Sequence, residues 1–276
     1  MELTTLDNTP VSRLGLASQY LKETGCVRAA FAAGINYFFS YSLPSRLFLD
    51  ELNLLLATHR ESIFVALGSE KRDRQTLNHT LDRIRQTLNV DLVDAFFGEY
   101  ISPKDDPNDI QHLADTFYDW KAKGYIRYVG MSTHNRAIAL NLIHLHQCDV
   151  LMHRYNMAHR KAEIDLFPAA VQADIPVIAF TCTRWATLLR LPLRETSPQM
   201  LSGLDRPPTA AECYQFSLHP GAVRLALTSP AALAELTSNL EVLHKPLLTA
   251  SELAHWQHYG DVVYGTGQDA FETQWA

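Results

Sequence analysis

No stretch of about 18 consecutive apolar residues occurs in this chain, so no segment reads as a membrane-spanning helix. The first residues, MELTTLDNTPVSR, lack a basic leader followed by an apolar run, and a cytoplasmic location is expected. Nor is there a basic block. The 24 Lys and Arg residues face 30 Asp and Glu, for a net charge of −6, which leaves little to attract nucleic acid or an anionic membrane surface. Cys26, Cys148, Cys182 and Cys213 form no CxxC pair, a pattern that suits reduced thiols rather than a disulfide framework. No ligand spacing for a metal is present: His144, His146 and Cys148 are two apart and share no helix face, and nothing in sequence joins His134, His153 and Cys182. The expected partner is a small molecule, and self-association into a homo-oligomer stays open.

What the sequence does contain is a strict alternation of short apolar runs and amphipathic stretches. Strands are expected over 12–18, 37–40, 63–67, 92–97, 125–132, 150–154, 176–181 and 222–227. Each is followed by a helix, over 19–33, 46–59, 74–88, 110–123, 137–146, 163–173, 210–218 and 231–243. Leu77, Leu81, Ile84 and Leu88 keep the spacing of one buried stripe. Eight strand and helix pairs without a fixed-period repeat predict a closed (β/α)8 TIM barrel, a single domain over 1–276 with the barrel at about 11–245. Residues 190–208, with four prolines, read as an irregular crossing near the barrel mouth. The tail 246–276 is rich in aromatics and reads either as cover for that mouth or as a surface helix.

The clearest unit runs from Trp120 to Asn135: the end of a helix, a turn at Gly124, a strand apolar on both faces apart from Arg127, and a polar exit. In a barrel the C-terminal ends of the strands form the working face, which makes Ser132, Thr133 and His134 candidates for ligand contact. Asn135 reads more simply as the cap of the following helix.

Gly124-Tyr125-Ile126-Arg127-Tyr128-Val129-Gly130-Met131-Ser132 resembles the fifth strand of the aldo-keto reductases. Gly34-Ile35-Asn36-Tyr37-Phe38, Arg154-Tyr155-Asn156 and Ile175-Pro176-Val177-Ile178-Ala179-Phe180 resemble the second, sixth and seventh. The resemblance implies a barrel that reduces carbonyls with NADPH, using a Tyr, a Lys, an Asp and a His at the ends of strands 2 to 4. Here those positions align with Pro44, Gly68, Phe39 and Glu99, and all four differ. Hydride transfer to a carbonyl needs a proton source beside the developing alkoxide, so the family's usual chemistry by its usual residues is not expected. On the cofactor side the resemblance assigns Ser132, Phe180 and Asn239. Ser229-Pro230-Ala231-Ala232 replaces the basic turn that would hold a 2′-phosphate, so NAD is expected over NADP if a dinucleotide binds at all.

The strand ends are nonetheless crowded with polar groups. Glu99 follows Ala95-Phe96-Phe97-Gly98 and is expected over an aromatic mouth near Phe39, where desolvation raises a carboxyl's pKa. With Tyr41, Lys71 or His134 as partner it could catalyse an elimination, isomerisation or cyclisation, the leading sequence-based reading. An ion pair of Glu99 with Arg154 or Lys71 and no turnover is the plainer one. Phe39, His153, Arg154 and Arg184 are the candidate substrate contacts, the two arginines for a carboxylate or phosphate. Two further readings stay open: an NAD(P)-dependent carbonyl oxidoreductase with Tyr41 or Lys71 as relocated proton donor, and a non-catalytic binding or regulatory relative.

Overall fold

The computed structural model describes residues 1–41, 45–191 and 204–265. Strands β1 (Leu14–Ala17), β2 (Tyr37–Tyr41), β3 (Phe64–Ser69), β4 (Val93–Gly98), β5 (Ile126–Thr133), β6 (Val150–Arg154), β7 (Val177–Phe180) and β8 (Val223–Thr228) close in sequence order. Every neighbouring pair is parallel, and β8 returns to β1 through Leu14 against Ala226 and Leu16 against Thr228. Around them lie α1 (Cys26–Ala32), α2 (Arg46–His59), α3 (Arg74–Leu88), α4 (Pro107–Ala122), α5 (Arg136–His144), α6 (Leu166–Gln172), α7 (Ala210–Ser217) and α8 (Leu233–Leu240). This is the single (β/α)8 barrel that the alternation predicts. Most of the proline-rich crossing, residues 192–203, lies outside the described residues, as do 266–276 of the tail.

Where boundaries differ from expectation, the cause is local. The first helix begins at Cys26 rather than near residue 19, because Gly25 adopts φ 91° and turns the chain immediately before it. The buried Glu51 carboxylate on α2 then accepts from the Gly25, Val27 and Arg28 amides, standing in for a local cap. The fourth helix starts three residues early, at Pro107, since Asp106 caps it and proline fits the first helical position. The sixth starts three residues late, after a single 3-10 turn at Lys161–Glu163. Asn135 caps α5 by accepting from the Ile138 amide at 3.0 Å, as the sequence suggests.

Apolar side chains divide into two clusters. One lies between sheet and helices and takes in the α3 stripe. The other fills the barrel and takes alternate residues of each strand, among them Tyr37 and Phe39 of β2, Phe64 and Ala66 of β3, Ala95 and Phe97 of β4, and Ile178 and Phe180 of β7. This alternation decides which strand-end residues point inward. At the opposite, N-terminal end of the barrel, the fully buried Asp94 takes Arg60 and Arg127 at 2.9 Å each and the Val65 amide at 2.8 Å. Beyond the barrel, α9 (Ala250–Gly265) buries Trp256, Tyr259 and Val262, and the Tyr259 hydroxyl donates to the Leu188 and Arg190 carbonyls. The tail thus packs on the loop that follows β7. Among the described residues no helix is long and apolar enough to cross a membrane.

Candidate active site

Inward parity on β2, β3 and β4 continues past the core to Tyr41, Gly68 and Glu99. Gly68 pairs with Phe97 in the β3–β4 register, which sets Glu99 beside the bare Cα of Gly68. A Cβ at position 68 would lie only 2.5 Å from the Glu99 Cδ and 2.6 Å from its Cγ. The carboxyl therefore occupies the space that any side chain at 68 would need. Its main chain is fixed: the Glu99 amide donates to Ser69 O at 2.9 Å, and Arg72 donates to Glu99 O at 2.8 Å while pairing with Asp105 at 3.0 Å.

Glu99 is 1% exposed, and both of its carboxyl oxygens are buried without a hydrogen-bond partner among the described residues. Burial raises its pKa well above the usual carboxylate value, nearby Glu70 adds to the rise, and Arg72 opposes it. Neither Lys71 nor Arg154 neutralises it. Lys71 is exposed, and it is Arg72, the next residue of the loop after β3, that reaches the Glu99 main chain.

A row of rings runs from the barrel core across the mouth. Phe97 meets Phe39 edge-on at 5.7 Å, and Phe39 meets Tyr41 at 4.7 Å. Tyr41 stacks on Tyr100 at 5.9 Å, Tyr100 stacks on His134 at 5.8 Å, and His134 meets Phe180 edge-on at 4.8 Å. Tyr100 joins the row because its backbone takes φ 51°, a left-handed turn that folds the ring back over the mouth. Burial, first of all, raises both phenols: Tyr41 goes well above its ordinary value and Tyr100 is pushed up to about 12.

A cavity of about 930 Å³ begins at Tyr41, Tyr100 and His134, passes Phe180, and continues between the ends of β7 and β8 to Glu235, Ser238 and Asn239 on α8. One wall is the loop after β7, where Thr181, Arg184, Trp185 and Ala186 all have positive φ. Such concentrations of unfavourable backbone accompany sites held in one shape. At the far end Asn239 and Tyr214 both donate to Thr228 Oγ1 at 2.9 Å, and the Glu235 carboxylate accepts from the Ala231 amide at 2.8 Å. Cys182 also lines this cavity, but burial pushes its thiol up to about 12, so it offers no thiolate.

A second cavity, about 370 Å³, lies on the other side of His134 and is lined by His153 and Arg154 together with residues of the loop after β6 and of α9. Burial lowers the His153 pKa to about 3, and its Nδ1 donates to Thr133 O at 2.8 Å. That ring is neutral, with Nε2 left as acceptor.

A model of the aldo/keto reductase family matches residues 13–260. The chain belongs to this family. Among solved structures it is similar to the holo form of aldo-keto reductase AKR11C1 from Bacillus halodurans, at 21% identity and TM-score 0.76, covering 94% of this chain and 95% of that one. It is likewise similar to an aldo/keto reductase from Klebsiella pneumoniae in complex with NADP and acetate, at 18% identity and TM-score 0.72, covering 95% and 96%. No curated protein matches the sequence.

In this aldo/keto reductase the candidate residues separate by place. Tyr41, His134, Phe180 and Asn239 line the larger cavity, and His134, His153 and Arg154 the smaller one. Phe39 is covered by Tyr41, Ser132 is buried within β5, and Arg184 is buried in the loop after β7; none of the three reaches either cavity. Glu99 lines neither cavity. Pro44 falls outside the described residues. Sequence reasoning passed over Tyr100 and Glu235 as site residues. Tyr100 stands next to Glu99 at the end of β4, and that position was the available signal. Glu235 carried none, because its reach depends on the turn before α8. Among the described residues no group of three or more His, Cys, Asp or Glu side chains is arranged to hold a metal.

Proposed function

We propose that this chain is a nicotinamide-dependent oxidoreductase acting on the carbonyl of a small metabolite, with Tyr100 as proton donor and Tyr41 behind it. The observation that carries this reading is the single cavity joining the two phenols, past Phe180, to Asn239. Its residues suit a dinucleotide: an aromatic face at Phe180 for a flat ring, a stretch past Leu227 and Ser229 at the end of β8, and the Asn239 amide on α8. Such a cofactor, when bound, supplies the hydride. Tyr100 would hold a proton where the carbonyl oxygen gains charge, and Tyr41, its ring stacked on that of Tyr100, would stand behind it as the source that restores it. His134, stacked on Tyr100, fixes the plane of that ring.

The far end favours NAD over NADP. Among the described residues Lys22 is the one cation lining the cavity, and Glu235 places a carboxylate beside Ser229, Pro230 and Ala231. A 2′-phosphate would meet a like charge there, whereas ribose hydroxyls could donate to it. NADH is therefore expected to bind at least about tenfold tighter than NADPH, a difference of roughly 1.4 kcal/mol. Glu235→Gln is expected to narrow that ratio. Fluorescence titration of both cofactors checks this, and tighter binding of NADPH by the unaltered chain would refute it.

Carbonyl-dependent oxidation of NADH tests the reaction itself. Tyr100→Phe is expected to lower kcat by about 10²-fold, in the range of a lost general acid. Tyr41→Phe, which alters a group one ring removed from the carbonyl, should lower it by only about tenfold. Neither should alter NADH affinity. Equal losses, or none, would remove the assignment of roles.

A second reading keeps proton transfer without redox chemistry. It is favoured by the Glu99 carboxyl near Tyr41 and Tyr100, which has no hydrogen-bond partner among the described residues and, lining neither cavity, could act on a substrate only by relay through those phenols. Turnover of a substrate without NADH, abolished in Glu99→Gln, would select it. A binding subunit would take up NADH and oxidise none.

A further inference from the structure

We propose that Glu23, on the loop after β1, is a second determinant of cofactor choice, closing the adenosine end of the larger cavity to a 2′-phosphate together with Glu235. This deepens the nicotinamide reading and rests on it: the nicotinamide is drawn to Phe180 and the phenols, which leaves the adenosine for the end formed by Ser229, Pro230, Ala231 and α8.

A 2′-phosphate needs cations or free backbone N–H groups to pair with. The turn before α8 withholds the amides. Ala231 donates its N–H to the Glu235 carboxylate at 2.8 Å, and Leu233 donates its own to the Glu23 carboxylate at 2.9 Å. Glu235 belongs to α8 itself, whereas Glu23 reaches in from 210 residues earlier in the chain. Two carboxylates thus stand at this turn against Lys22, among the described residues the one cation lining the cavity. Glu23 does not line the cavity itself, so it acts by its charge and through the amide it holds. A ribose 2′-hydroxyl can donate to a carboxylate, while a 2′-phosphate would meet like charge and find both amides taken.

The loop after β1 is tied down so that Glu23 arrives at that amide. Leu21 is buried, the Tyr20 amide donates to Ser229 Oγ at 2.9 Å, and the Lys22 amide donates to Ala231 O at 3.1 Å. These bonds run the loops after β1 and β8 side by side, and Glu23 makes the next contact along. Gly25, at φ 91°, then turns the chain away into α1. Cys26 registers the result: burial pushes its thiol pKa up, and Glu23, Glu51 and Glu235 add to the rise, so three carboxylates share this corner. Glu51 is engaged by the amides at the start of α1. Neither Glu23 nor Glu235 forms an ion pair among the described residues, so no bound cation offsets them at the turn.

Fluorescence titration of the full chain with NADPH and NADH tests this without turnover. Glu23→Gln keeps an oxygen for the Leu233 amide and removes the charge, so NADPH should bind about threefold tighter while NADH stays within about twofold. The unchanged NADH affinity also reports that the variant is folded. Glu23→Gln combined with Glu235→Gln should tighten NADPH by about tenfold or more. A second arm needs no substitution: raising the salt from about 0.05 M to about 0.5 M should favour NADPH relative to NADH in the unaltered chain, because screening weakens like-charge repulsion, and by much less in the double variant. No gain for NADPH in Glu23→Gln, equal gains for both cofactors, or a salt-independent ratio in the unaltered chain overturns the proposal. Titration with 5′-AMP and with adenosine 2′,5′-bisphosphate separates it from the reading beneath it. Should NADH fail to bind while the bisphosphate gains on 5′-AMP in Glu23→Gln, the oxidoreductase reading falls and the charge filter stands. Should none of these nucleotides bind, both fall together.

Discussion

Glu99→Gln is expected to stabilise the protein, by a margin that widens as the pH rises. Below the ordinary carboxyl value of 4.5 the unfolded and folded chains both carry a protonated Glu99, and the two proteins should differ little. Above it the unfolded carboxyl ionises, while the folded one, buried over Gly68 with neither oxygen hydrogen-bonded, holds its proton. The folded state then binds more protons than the unfolded state, so stability falls with rising pH, by at most about 1.4 kcal/mol per unit, until the folded carboxyl itself ionises. Glutamine has the same shape and no proton to lose, and is exempt from that fall. A gap near zero at about pH 4 should widen steadily as the pH is raised toward about 8. At roughly 2–4 °C per kcal/mol for a chain of this size, it is readable as a difference in Tm as well as in urea midpoint. Every other titrating group is common to both proteins and cancels in the difference. Parallel pH profiles for the two would mean that Glu99 is ionised in the fold, and with it would go the second functional reading.

How much of this was legible beforehand differs between scaffold and site. The barrel followed from alternation, and α2, α3 and β6 fall where their periodicity and caps place them. The start of α1 was not readable, because a carboxylate 24 residues further on, Glu51 against Val27, replaces the missing local cap. In the site, the four altered positions could be read one at a time, but their coupling could not. Gly68 and Glu99 look like two separate losses until the register of β3 and β4 shows one filling the space left by the other. Tyr100 needed a left-handed backbone to turn it over the mouth, and a tyrosine is not a residue from which that turn is inferred. Lys71 was the reverse case. Chain position put a cation near Glu99, and the loop chose its neighbour Arg72. Side-chain alternation carries a sequence argument to the last residue of a strand, while one or two residues into the loop the direction depends on dihedrals that only tertiary contacts settle.

The same contrast makes the closed end of the barrel the place for the largest structural effect. Asp94→Ala is expected to cost about 3–5 kcal/mol of stability, because it strands two guanidinium groups that share one fully buried carboxylate. The side chains of Arg60 and Arg127 are 19% and 24% exposed, too little for water to replace the lost partner fully. The Asp94 carboxylate also accepts from the Val65 amide, Arg60 reaches the Ile63 and Leu92 carbonyls, and Arg127 reaches Thr4 O. A single residue thereby ties the starts of β3, β4 and β5 to the N-terminal segment. Asn should do little better than Ala, since its amide would turn two donors toward groups that are themselves donors. The loss should persist at high salt, because screening acts weakly on buried pairs. NADH affinity, measured where the variant is still folded, should be unchanged, for the cavity opens at the other end of the strands. Urea midpoints for Asp94→Ala and Asp94→Asn decide it: a loss under about 1 kcal/mol would place these ions among the exposed pairs that contribute little.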